Sequence, residues 1–123
     1  MKTFRTALLL VLLVSGVVAA QTPDDRGFDP TGVWYGQHGP LALMRAGDTL
    51  TFSYSGVFGA TAHMCDGIGV AGFVGDGTWE YVDEQGTVTF TTRGGRVTME
   101  TTKGIASFCG ANWPGDTFGK DGW

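Results

Sequence analysis

The sequence predicts an all-β domain, a small antiparallel barrel or sandwich of about eight strands carrying one disulfide. Three observations lead there. From Gly32 onward apolar and polar residues alternate at period two, Gly- and Asp-rich turn signals interrupt the alternation at short intervals, and no segment of useful length repeats with the helical period. The chain also holds only two cysteines, Cys65 and Cys109, both in this β-rich part.

The first twenty residues stand apart. Lys2 and Arg5 precede the apolar run Ala7–Val14, and the segment closes on Ser15-Gly16-Val17-Val18-Ala19-Ala20. This is the pattern of a secretory signal, with cleavage expected after Ala20. The run falls well short of the ~20 apolar residues of a spanning helix, so no membrane span is expected after cleavage. The expected location is periplasmic or secreted. Loss of Lys2 and Arg5 takes the formal charge from −4 to −6. An acidic chain is a poor ligand for nucleic acid or anionic lipid, whose binding rests on Lys and Arg neutralising phosphates. Basic proteins, cations and neutral ligands remain open.

Residues 21–31 are polar and rich in Pro, Gly and Asp, and read as a flexible leader to a single β domain over residues 32–123. Gly32–Gln37, with Trp34 and Tyr35, supplies the first strand. Leu41–Arg45 and the turn Ala46-Gly47-Asp48 lead to Thr49–Ser55, where Leu50, Phe52 and Tyr54 share one face. Less regular strands fall at Ala60–Met64 and Ile68–Val74. Gly77–Val82 places Trp79 and Tyr81 on one face, and Asp83-Glu84-Gln85-Gly86 turns it into Thr87–Thr92. Gly94-Gly95 suits a type I′ turn into Val97–Thr102. Ile105–Cys109 is expected as the last strand, followed by a tail bearing Trp113, Phe118 and Trp123 that is too rich in Gly and Pro for a core strand.

In an oxidising compartment Cys65 and Cys109 are expected to pair. Such a link stabilises by about 4 kcal/mol in the chain-entropy description. Pairing also removes the thiol nucleophile that Cys65 and His63 would otherwise form.

Chemistry-bearing motifs are sparse. Gly67-Ile68-Gly69-Val70-Ala71-Gly72 fits the letters of a dinucleotide-binding turn, but that turn requires a strand before it and a helix after it. Strand-like residues follow instead, so these glycines read as a bend or a close approach of backbones. Asp66, Asp76, Asp116 and Asp121 lack the spaced acids of a calcium loop and read as turn residues. His38 and His63 have no zinc-ligand spacing. Ser53, Ser55 or Ser107 with His63 and Asp66 would give a hydrolytic set only without a nucleophile elbow. No cofactor, no metal and no catalytic residue is therefore expected.

Thr31-Gly32-Val33-Trp34-Tyr35-Gly36 resembles the G-x-W opening of the first strand in calycins, the lipocalin and avidin group of ligand-binding barrels. The resemblance carries over Gly32 and Trp34 and implies a barrel with a small apolar ligand. Ser55-Gly56-Val57-Phe58 is similar to the Ser-Gly loop of the periplasmic lysozyme inhibitors, which are disulfide-bearing β-barrels.

Three function classes follow. The first is a non-catalytic binding protein in which Trp34, Tyr54, Trp79 and Tyr81 line a pocket or core. The second is an inhibitor of a cationic envelope hydrolase such as lysozyme, acting through a loop of Ser55, Gly56, Val57 and Phe58 with Trp113 on the tail. A minor hydrolase using His63 is the third.

Overall fold

The computed structural model describes residues 25–109 and 112–120. The segment expected to be a signal, the junction at Gly110 and Ala111, and Trp123 lie outside them.

Alternation builds the strands in chain order: β1 (Gly32–Tyr35), β2 (Pro40–Ala46), β3 (Thr49–Phe58), β4 (His63–Gly75), β5 (Thr78–Val82), β6 (Gly86–Arg93), β7 (Arg96–Gly104) and β8 (Gly115–Phe118). Each pairs antiparallel with the next in a single meander. The two ends of the sheet meet where Tyr35 and Gly119 exchange backbone hydrogen bonds of 2.9 and 3.1 Å. The result is an all-β, nearly closed eight-stranded barrel with a Cys65–Cys109 disulfide.

One face of every strand points inward. Leu41 and Leu43 of β2, Leu50, Phe52 and Tyr54 of β3, Trp79 of β5, Val88 and Phe90 of β6, Val97 and Met99 of β7 and Phe118 of β8 form a continuous buried cluster. A barrel of this strand number is just wide enough for side chains to fill it. Here they do. Phe52 meets Phe90 at 4.9 Å and Tyr81 at 5.2 Å between ring centroids, and Tyr54 meets Trp113 at 5.3 Å. The Gly94-Gly95 turn joins β6 to β7 with φ of 59° and 72°, as type I′ geometry requires.

Three expectations need correction. The two irregular strands around residue 66 are one strand, β4, bulged between Phe73 and Gly75. Ile105–Cys109 is no strand. It crosses the barrel as a turn, held by the disulfide and by the Ser107 hydroxyl on the Asp83 carboxylate. The last strand is Gly115–Phe118, from the Gly- and Pro-rich tail, which supplies Phe118 to the core. Four residues with one inward aromatic close a barrel, so the composition of a long window hid the strand.

Residues 25–31 contact the barrel. Arg26 pairs with Asp48 at 2.5 Å, Phe28 stacks on Trp34 at 5.7 Å, and the Trp34 indole donates to the Pro30 carbonyl at 2.7 Å.

Candidate functional site

Trp34, Tyr54 and Trp79 are buried within the barrel, and Tyr81 is half-buried against Phe52 and Phe108. Of the two roles these aromatics offered, the structure gives them that of core. Trp34 sits at one end, its ring covered by the Lys120 ammonium at 4.8 Å. Trp79 lies against Phe73 and donates to Thr92 Oγ1 at 3.4 Å.

The residues expected as an interaction loop are not on a loop. Ser55–Phe58 is the last part of β3, and its alternation continues that of Tyr54: Gly56 faces in, Ser55 and Val57 face out. Phe58 is held between the rings of His38 and His63, at 6.1 and 5.6 Å. Trp113 is 1 % exposed, packed on Tyr54 and Phe108. The turn at the hairpin tip is residues 59–62, where the Ala62 amide donates to the Gly59 carbonyl.

The hydrolytic set is not assembled. Ser55 donates to Asp66 at 2.8 Å on the outer face, whereas His63 points inward and places Nε2 2.6 Å from the Cys109 carbonyl. A carbonyl only accepts, so that nitrogen carries the proton and is engaged. Asp116 accepts the backbone N–H groups of Gln37 and His38 and closes the β1–β2 turn. Asp83 accepts the Ser107 hydroxyl and the backbone N–H groups of Gln85 and Gly86. The Ser107 bond foremost, then the Gln85 bond, holds its carboxyl below the usual carboxylate range.

The glycines of the 67–72 motif have a packing role. A Cβ at Gly67 would overlap the Phe108 ring, and one at Gly69 would lie 2.7 Å from Tyr81 Cε1 and 3.0 Å from Phe52. Gly72 has nothing within 4 Å. Two of the three glycines thus admit rings beneath β4.

They do so along a seam. β4 pairs with β5 only at Gly72, Phe73 and Gly75; beyond Glu80 the strands part, and Tyr81 and Val82 pair with β6 alone. Residues 63–71 have no ladder partner on that side among the described residues. Beneath the seam lie Phe108 and Tyr81. On its outer surface stand Met64, Ile68 and Val70, with Ile68 75 % exposed, and Val82 across from them on β5.

Charge is distributed unevenly around this wall. From Ala46 to Thr92 there is no Lys or Arg, while Asp48, Asp66, Asp76, Glu80, Asp83 and Glu84 all fall there. Arg26 and Arg93 neutralise Asp48 and Asp76 at one end of the barrel. Asp66, Glu80, Asp83 and Glu84 form no ion pair among the described residues. Total charge concealed this block; a running charge count along the chain exposes it.

The depressions on the described surface are open ones. One is lined by Gln37, Met99, Glu100, Asp116 and neighbours beside β8, and another by Ser53, Tyr54, Ser55, Asp66, Gly67 and Ile68 on the outer face of β3 and β4. No family model matches the chain, and neither a curated protein nor a solved structure is found similar to it.

Proposed function

We propose that this chain is a non-catalytic exported binding protein whose partner is a basic protein, engaged on the outer wall formed by β3, β4 and β5. The observation that carries the reading is the base-free stretch Ala46–Thr92, in which Asp66, Glu80, Asp83 and Glu84 form no ion pair among the described residues. Lys103 borders Asp83 and Glu84, while Asp66 and Glu80 lie within the base-free stretch; a surface of net negative sign steers a cationic partner and raises its encounter rate.

Two further observations support it. The aromatics that would grip a small ligand pack in the core, which favours binding on the outside of the barrel. Exposed apolar side chains, Val57, Met64, Ile68 and Val70, stand on the same wall and offer area to desolvate. Inhibition of a cationic envelope hydrolase is one activity such a contact would have.

Calorimetric titration of the mature chain with a basic lysozyme tests this, run beside an acidic protein of similar size at two ionic strengths. Binding to the lysozyme alone, weakening as salt rises past the point where the Debye length is ~10 Å, is the expected result. Equal binding to both proteins, or none to the lysozyme at low salt, would remove the reading.

A further inference from the structure

We infer that the seam between β4 and β5 accepts an extended, cationic segment of a partner protein as an added strand along β4, an inference that rests on the basic-partner reading above.

A strand without a neighbour presents a row of unspent N–H and C=O groups, and an incoming strand satisfies them. Among the described residues β4 is such a strand over residues 63–71. Its ladder to β3 is continuous from Thr49↔Gly72 to Phe58↔His63, so the edge is held straight by a firm partner on its other side. Its ladder to β5 stops at Gly72↔Glu80.

Side-chain chemistry on the two faces of the seam selects the occupant. Beneath it are Gly67 and Gly69, with the half-buried rings of Phe108 and Tyr81. Small or branched apolar side chains on the inner face of an added strand would cover them. On the outer margins stand Asp66 of β4, Glu80 of β5 and Glu84 of the following turn, together with Ile68 and Val82. Lys or Arg side chains on the outer face of that strand meet carboxylates there, and their aliphatic stems cover the apolar residues. Alternating apolar and basic residues are thus the pattern the seam fits.

A second copy of this chain is the less suitable occupant. It would bring a strand carrying its own Asp66 and no base, from a molecule of the same negative sign. Like charges set against one another across a ladder are destabilising.

The test uses the mature protein and an octapeptide of alternating Lys and Val. Two controls accompany it: the same peptide with Glu for Lys, and a Lys-Val peptide N-methylated at alternate amides, which keeps the charge and removes the ladder donors. The Lys-Val peptide should bind, the Glu peptide should not, and N-methylation should weaken binding about tenfold or more. Hydrogen exchange should slow in residues 64–70, and E80Q with E84Q should lower affinity and flatten its salt dependence.

Equal binding of the N-methylated peptide, with unchanged exchange in β4, would overturn strand addition while leaving the basic-partner reading in place. Lysozyme binding without peptide binding would do the same. Failure of both lysozyme and peptide would overturn the two together.

Discussion

Gly67→Ala isolates a single contact. The backbone at Gly67 lies outside the positive-φ region, so alanine meets no torsional objection and the whole effect comes from its Cβ meeting Phe108. The ring has little room to retreat, because Phe52, Tyr81 and Trp113 surround it at 5.9, 6.4 and 6.3 Å. The disulfide at the adjacent Cys109 pins its backbone. Overpacking of this kind costs about 1–3 kcal/mol.

Gly72→Ala is the internal control, since nothing lies within 4 Å of its Cβ. There the change should be neutral or stabilising by up to about 1 kcal/mol through the unfolded chain. Phe108→Ala alone costs packing, but in that background Gly67→Ala should cost nothing further. The coupling between the two sites then equals the clash. Urea unfolding followed by tryptophan fluorescence reads all four proteins, and 2 kcal/mol corresponds to a midpoint shift of about 1 M. Equal midpoints for the Gly67 and Gly72 variants, or additive effects of the Gly67 and Phe108 changes, would refute the packing role of this glycine.

Replacing Cys65 and Cys109 with serine opens a link spanning a separation of 44 residues and should cost about 4 kcal/mol in equilibrium unfolding, with a larger denaturant slope as the unfolded chain expands. Tyr54 gives a pH signature: burial, and next the charge of Asp116, push its hydroxyl up to about 12. A neutral phenol favoured in the folded state stabilises fully below pH 10, and that contribution is lost as pH rises from 10 towards 12. Tyr54→Phe should abolish this alkaline phase in a stability-against-pH series. At neutral pH the same change should cost little, because neither the Tyr54 hydroxyl nor Trp113 Nε1 has a hydrogen-bond partner among the described residues.

Period-two alternation was sufficient to place β2, β3, β6 and β7, because each presents a run of inward apolar residues long enough to repeat. Val88, Phe90, Val97 and Met99 are inward as their spacing implied. β4 was harder to read for a physical reason. Its inward positions include Gly67 and Gly69, which supply no side chain of their own and instead receive Phe108, Tyr81 and Phe52 from elsewhere. A strand whose inner face is filled by a distant segment carries no hydrophobic period. β8 escaped for the opposite reason, being short and set among turn residues. Trp113, which the sequence offered either as a cover for the open end of the barrel or as a contact residue, is buried against Tyr54 and Phe108. The anionic wall was present in the letters throughout, since it needs only the order of charges.

The closure between Tyr35 and Gly119 fixes how the molecule comes apart. Every other strand pairs with its neighbours in the chain, so seven hairpin contacts form over short distances while the final join spans almost the whole domain. Joining distant residues carries the largest loop entropy, and the join rests on two backbone hydrogen bonds, the Asp116 carboxylate on the Gln37 and His38 amides, and Lys120 over Trp34. The barrel therefore behaves as a ribbon rolled and latched along one line, and it unrolls from its first and last strands. Amide exchange at Tyr35 and Gly119 should run ahead of that at Phe52 and Phe90, so that the latch flickers open while the middle of the ribbon stays coiled.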